Sequence, residues 1–299
     1  AALQRYAAVN GGLLDGLSRE LPFYLGGVRL LAWLAERGLP ICRPEFAPEE
    51  DRVCRVSQAY NVNLALRLGR AAEALDLRSA VVTNEIAFGP EGRVLILTGP
   101  NGGGKTTYVQ EIGLLQVLAQ AGLYVPGRAA RISPVDGIYT HFPAEEKPAQ
   151  GTGRFGDEAQ RLNEIFRRAT RHSLVLLNES LAGTAAGESL YLAQDVVRVL
   201  RLLGARAIFS THLHELAAGL DELNAAEPGD GQIASLVASP VAGEHDTGGQ
   251  PSAAGTRSYQ IVFGPPLGRS YAREIAQRYG VSYDQLRRLL VDRGLLRES

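Results

Sequence analysis

The stretch VLILTGPNGGGKTT, residues 94–107, decides the fold. Val94 to Leu97 is a short apolar run set between Gly92 and Gly99, the pattern of a buried strand. The chain then turns through Gly99, Pro100, Asn101, Gly102, Gly103 and Gly104 and enters an amphipathic pattern at Lys105 and Thr106. This is G-x-x-x-x-G-K-[ST] with a strand before it and a helix after it. A helix N-terminus leaves unpaired N–H groups and partial positive charge, so it favours an anion. Glycines let the backbone wrap closely round a phosphate. Lys105 is placed to reach the outer phosphates of a nucleotide, and the Thr106 hydroxyl to ligate Mg²⁺.

Outward from this loop, short apolar runs alternate with amphipathic stretches. The loop helix extends to about Ala121 with Tyr108, Ile112, Leu115 and Leu118 as its apolar stripe. Residues 135–142 read as a strand, and 155–171 as a helix burying Ala159, Leu162, Ile165, Phe166 and Ala169. Leu174–Leu177 is a strand, 185–203 a helix ending at Gly204, Arg206–Ser210 a strand, and a short helix begins near Leu213. Ile233–Val237 and Tyr259–Phe263 read as later strands. Upstream, Asn63–Leu68 alternates polar and apolar residues in the strand manner, and Ile86–Phe88 is another short apolar segment. Such alternation predicts an α/β fold with a mostly parallel sheet flanked by helices.

The ends differ from this centre. Residues 1–40 follow the helical period through Val28, Leu31, Leu34 and Ala35 and close at Gly38 and Pro40, predicting an N-terminal helical arm. Residues 41–57, with Pro44, Pro48 and the acidic cluster Glu49, Glu50 and Asp51, read as a linker. The expected division is a helical arm over 1–50 and the α/β domain over 51–299. Residues 143–153 and the stretch GEHDTGG at 243–249 read as exposed loops, and His245 with Asp246 as no metal site. Ser270–Tyr279 and Tyr283–Val291 form a C-terminal helix pair, the second opened by the capping box of Ser282 and Gln285.

Composition narrows the setting. The chain has 299 residues, 45% of them hydrophobic and 21% charged, as in a globular protein exposed to water. A net charge of −1 argues against strong nonspecific DNA binding by this chain alone. Its cysteines, Cys42 and Cys54, match no metal motif and make no disulfide framework. A cytoplasmic setting without membrane contact is expected. The first residue is Ala and methionine is absent, which points to a processed chain or part of a longer one.

Two further stretches complete a candidate site. SLVLLNES, 173–180, ends a buried strand in Asn178 and Glu179. In phosphate-loop ATPases such a strand ends in a carboxylate that holds Mg²⁺ and a second that polarises the attacking water. Asn178 brings an amide in place of the first carboxylate, and Glu179 keeps the second position. FSTHLHEL, 209–216, places His212 beyond an apolar strand, at the sheet edge where ligands bind. His212 is thus a candidate γ-phosphate sensor, and His214 reads as a surface residue.

Together these stretches resemble the ATPase domain of the MutS DNA mismatch-repair family, within the ABC-type ATPases. TGPNGGGKTT is similar to that family's TGPN-x-GGK-[ST]-T, SLVLLNESLAGT to its SLVLLDE and G-x-GT turn, STHLHEL to its ATH-x-x-EL. GRSYAREIAQRYGVS, 268–282, resembles its SYG-x-x-VA segment. The likeness covers residues 58–290. It implies ATP and Mg²⁺ as cofactors, with Gly99, Pro100, Asn101, Gly102, Gly103, Gly104, Lys105, Thr106 and Thr107 at the nucleotide. Thr106, Asn178 and Glu179 would serve the metal, with Glu179 and His212 catalytic. It further implies a homodimer with composite ATP sites, coupled to a DNA clamp built mainly by N-terminal regions absent from this chain. In the family a Ser/Thr-Phe signature reaches the partner's nucleotide. Here Gly153 and Arg154 precede Phe155, so the resemblance suggests Arg154 as an arginine-finger substitute that contacts ATP in trans, the alternative being a solvated arginine at a helix start, where a cation is disfavoured unless an anion is bound. Asn178 and Ala182 depart from the family pattern and mark a divergent branch. Three other readings compete: an ATP-binding switch with little hydrolysis; another ABC-type ATPase, whose LSGGQ signature is missing here; and a monomeric phosphate-loop kinase, for which the sequence offers no phosphoryl acceptor.

Overall fold

A computed structural model describes residues 2–72, 75–142, 153–181, 186–226, 229–239, 258–266 and 280–293. In chain order the helices are α1 (Ala2–Glu36), α2 (Val62–Ala71), α3 (Leu77–Ala80), α4 (Lys105–Gln120), α5 (Gly153–Arg168), α6 (Ala186–Leu203), α7 (His214–Ala218), α8 (Leu220–Ala226) and α9 (Tyr283–Asp292). The strands are β1 (Ile41–Cys42), β2 (Glu45–Phe46), β3 (Cys54–Ala59), β4 (Asn84–Phe88), β5 (Val94–Thr98), β6 (Val125–Pro126), β7 (Ala129–Ile132), β8 (Ile138–His141), β9 (Leu174–Asn178), β10 (Arg206–Ser210), β11 (Ile233–Ala238) and β12 (Ile261–Phe263). Contacts divide the chain into two compact units, Ala1–Pro266 and Leu267–Ser299.

The first unit is built on a six-stranded sheet in the order β12-β11-β5-β10-β9-β8. β5, β8, β9, β10 and β11 run parallel, and β12 joins β11 antiparallel. β5, β9 and β10 are buried at every residue, which is why each reads as a continuous apolar run. One face packs on α4 and, beyond it, on the smaller sheet β2-β7-β3-β4. Leu95, Leu97, Leu174, Leu176 and Ile208 meet Ile112 and Leu115 of α4 and Val56, Ile86 and Phe88 of β3 and β4. The other face, through Val94, Ile96, Val175, Leu177 and Phe209, packs on α5, α6 and the α7–α8 segment. A third cluster joins Leu34 of α1 to Tyr60, Ala65 and Leu77.

Several expectations change. Residues 41–57 are no linker: β2 pairs with β7, β3 pairs with β4 and β7, and the Pro48 carbonyl accepts from the Ser133 hydroxyl at 2.6 Å. Asn63–Leu68 lies in helix α2 instead of a strand. Asn61 caps it, its Oδ1 accepting from the Leu64 N–H at 3.0 Å, and Leu64 and Leu68 share one face at helical spacing. On α5, Ala159 is exposed and Glu158 is buried in its stead. In the second unit the Ser282 hydroxyl bonds the Gln285 side chain at 2.7 Å and caps no backbone N–H of α9. The GEHDTGG stretch, the Ser270–Tyr279 helix and most of 268–282 lie outside the described residues. No described helix is long and apolar enough to cross a membrane.

Candidate functional site

Three adjacent strands of the sheet, β9, β10 and β5, end at one edge and deliver the predicted residues there. Parallel strands put their carboxyl ends together, and this is where open α/β sheets bind ligands. After β5 the chain turns at Gly99 with φ +133°, where a Cβ would lie 2.7 Å from the Ala238 Cβ. Gly104, the N-cap of α4, has φ +93°. Both positions reject ordinary side chains, so the glycines here are dictated by backbone. The α4 N-terminus, with its unpaired N–H groups, opens directly from this turn.

Lys105 is buried, and its Nζ donates to the carbonyls of Gly99 at 2.8 Å and Pro100 at 3.0 Å. Burial lowers its pKa, and the Glu179 charge opposes that shift. The ammonium is thus desolvated and held on the carbonyls of the loop. The Thr106 hydroxyl donates to Asn178 Oδ1 at 3.3 Å. These two residues come from α4 and β9, so the pair of candidate metal ligands is assembled by the fold. Glu179 has φ +50°, and its N–H donates to the Ser210 carbonyl at 2.8 Å. Its Oε1 lies 2.9 Å from His212 Nε2, a contact in which the ring nitrogen donates. The structure therefore brings Lys105, Thr106, Asn178, Glu179 and His212 to one edge. His214 is half-buried at the start of α7, and burial lowers its pKa. The backbone of Gly153 and Arg154 opens α5; their side chains, and Ala182, Gly183 and Thr184, lie outside the described residues.

A cavity of about 370 Å³ adjoins the loop, lined on one side by Gly102, Gly104, Lys105, Thr106, Thr107 and Glu179. Its other walls are Asn61, Leu64 and Leu68 at α2, Ala80, Val82 and Asn84, and Tyr259. The volume and the apolar walls with few polar groups suit a small-molecule site. Tyr259, φ +55°, lies against Gly104. Asn84 braces it: Nδ2 donates to the Tyr259 carbonyl at 3.3 Å, and Oδ1 accepts from the Ile261 N–H at 2.7 Å. Glu111 is buried in the wall with no partner for Oε1 among the described residues, and burial raises its pKa well above the usual carboxylate range. Sequence reading missed Asn61, Asn84, Glu111 and Tyr259, because only the fold brings α2, β4 and the segment before β12 to the loop. The one available signal was the carboxylate of Glu111 on the stripe side of α4.

An incoming nucleotide with Mg²⁺ fits these residues. An anion seat, a lysine, a hydroxyl–amide pair and a carboxylate converge beside a cavity of adequate size. Among the described residues no group of three or more His, Cys, Asp or Glu could hold a metal alone.

Residues 95–235 match the family model described as MutS domain V. The DNA mismatch repair protein MutS 2 of Halobacterium salinarum is 40% identical over 146 residues, 48% of this chain and 17% of that protein. MutS of Shouchella clausii is 36% identical over 165 residues, 54% of this chain and 19% of that protein. MutS 1 of Haloarcula marismortui is 33% identical over 219 residues, 73% of this chain and 23% of that protein. The chain thus spans only 17% to 23% of the length of these curated relatives.

Proposed function

Starting from a MutS-like chain whose residues 95–235 carry a MutS domain V, we propose that this region binds and hydrolyses ATP with Mg²⁺. In this reading the parent protein acts on DNA, as its relatives' names state for them. The observation that carries the proposal is the meeting of the glycine turn and α4 N-terminus with the Thr106–Asn178 and Glu179–His212 pairs. Gly99 to Lys105 cradle the phosphates, and Lys105 leaves the Gly99 and Pro100 carbonyls to engage them. Thr106 and Asn178 would hold the metal, the hydroxyl as a ligand and the amide as an acceptor in its shell. Mg²⁺, when bound, neutralises charge on the phosphoryl oxygens. Glu179 orients the attacking water and takes its proton, and His212 fixes the carboxylate and faces the γ-phosphate. Leu64, Leu68, Val82 and Tyr259 enclose the base.

The proposed working form is a homodimer with composite sites, Gly153 and Arg154 of one copy completing the site of the other. ATP closes it and hydrolysis reopens it, which would set a DNA clamp formed by other parts of the parent protein. The deciding experiment is Mg²⁺-dependent ATP hydrolysis against protein concentration, with Glu179→Gln as control. Specific activity that rises with concentration and vanishes in the variant supports the composite site. Activity independent of concentration, in a range where the protein is monomeric, refutes the trans contact of Arg154. One observation favours a second reading, an ATP-binding switch: Asn178 supplies no charge to the metal. Binding without turnover would put that reading first.

A further inference from the structure

The turn that carries Glu179 is conformationally costly and held from four sides. Glu179 and Leu181 both adopt left-handed φ, +50° and +66°. Neither is glycine, and such residues cost about 1–3 kcal/mol each unless their surroundings enforce them. The enforcement is visible. β10 takes the Glu179 N–H at the Ser210 carbonyl. β8 sets His141 Nδ1 2.6 Å from the Ser180 hydroxyl oxygen. α5 sends Glu158 Oε2 to accept the Leu181 N–H at 3.0 Å, and α6 sends the Ser189 hydroxyl to the Leu181 carbonyl at 2.7 Å. His141, Glu158, Ser180 and Ser189 are all buried. Burying a carboxylate and an imidazole there costs stability that apolar packing would not. A buried helix acid satisfying a backbone N–H two residues past Glu179 therefore has a reason to be there besides packing.

We infer that Glu158 and His141 are positioning residues for hydrolysis: through the Leu181 N–H and the Ser180 hydroxyl they fix the turn that presents Glu179 to His212. This deepens the ATPase reading and rests on it. Neither residue touches the nucleotide cavity, so their loss acts on the geometry of the attack and leaves binding alone. A displacement of about 1 Å at a reacting group costs roughly 100-fold.

The test uses the full chain with Glu158→Gln, Glu158→Ala and His141→Ala. Two readouts are taken: steady-state hydrolysis with equilibrium ATP binding, and the ring resonances of labelled histidine, with His212 assigned by His212→Ala. The amide of Glu158→Gln still accepts the Leu181 N–H. We expect it to keep kcat within about 3-fold, whereas Glu158→Ala and His141→Ala lower kcat roughly 10- to 100-fold with ATP affinity within about 2-fold. The His212 resonances move in both alanine variants and stay in the glutamine variant. Unchanged kcat and unchanged His212 signals in Glu158→Ala overturn the inference. A parallel loss of ATP affinity and kcat in all three variants overturns it too, in favour of a structural role. If the wild type binds ATP without hydrolysing it, the ATPase reading fails by itself. The histidine signals then decide whether Glu158 positions Glu179.

Discussion

Asn178→Asp puts a carboxylate where the likeness to other phosphate-loop ATPases expects one, and its effects in the empty and loaded protein should have opposite signs. Asn178 is 3% exposed, and its one described side-chain partner is the Thr106 hydroxyl. Without a cation, an ionised carboxylate there loses its hydration. Its cost has a ceiling, because the group can protonate instead. From an unfolded pKa of about 3.9, protonation at pH 7 costs about 4 kcal/mol, and at pH 5 about 1.5 kcal/mol. In the ionised form the Thr106 hydrogen bond meets a charged acceptor, worth about 1.5–3 kcal/mol, which lowers the folded pKa and keeps the cost below that ceiling. The expected destabilisation of the nucleotide-free protein is about 1–3 kcal/mol at pH 7. The sign follows from a folded pKa raised above the unfolded one: the penalty is absent below about pH 4, grows as pH rises and levels off above the folded value. With Mg²⁺ and nucleotide the carboxylate faces a cation. Binding should tighten by about 10-fold, which adds about 1.4 kcal/mol to the ligand-induced stabilisation. Urea unfolding at pH 5 and 7, with and without Mg²⁺-nucleotide, reads both effects. A variant as stable as the wild type when empty at pH 7, and stabilised no more when loaded, would refute the placement of this side chain at the metal.

Two further predictions concern the opposite end of the sheet. Asp230 receives Arg52, Arg93 and Arg171, each at 2.6 Å. The hydrogen bond from Arg52, then the charges of the three arginines, lower its pKa against the opposing effect of burial. A lowered folded pKa contributes stability above about pH 4 that is lost as pH falls through the folded value. Asp230→Asn should cost about 1–2 kcal/mol at pH 7, discounted because the acid's side chain is 41% exposed, and acid unfolding curves should lose that share of their slope. Arg206 is fully buried and donates to the carbonyls of Val53, Ser133 and Pro134. Counting three charged hydrogen bonds would suggest more than about 4 kcal/mol for Arg206→Met. However, Val53 keeps the Ser133 N–H and Ser133 keeps Gln116, so only the Pro134 carbonyl loses its described donor. The expected cost by urea unfolding is about 2 kcal/mol, and a value above about 4 kcal/mol would show that the guanidinium itself holds the strand ends.

The parts of this architecture legible in the sequence are those whose cause is local. Gly99 and Gly104 take left-handed φ that only glycine tolerates freely. The strands ending in Asn178 and Ser210 are buried on both faces and so carry the apolar runs Leu174–Leu177 and Ala207–Phe209. What escaped has causes far along the chain. Alternation over Asn63–Leu68 fits a strand as well as a helix until Asn61 is seen to cap the segment. Glu158 displaces Ala159 from the buried face of α5 because a turn after β9 offers it an N–H. Tyr259 is held against the phosphate loop partly by Asn84, from a strand of the other sheet. The two-residue strands β1, β2 and β6 are too short to carry any period.

The placement of β5 also sets the order in which the molecule is built. The strand that launches the phosphate loop pairs with β10 and β11, which begin only at Arg206 and Ile233. Its hydrogen-bond partners are therefore synthesised long after it, and pairing must wait for a large loop to close. During translation the glycine turn emerges early and unsupported, and nucleotide has no formed seat to stabilise until β11 has left the ribosome. Nascent chains stalled with β11 still inside the exit tunnel should stay open to protease around residues 94–107 whether or not ATP is present, while chains stalled well past residue 266 should gain protection that ATP increases. Early protection by ATP would mean that the loop can assemble without its sheet.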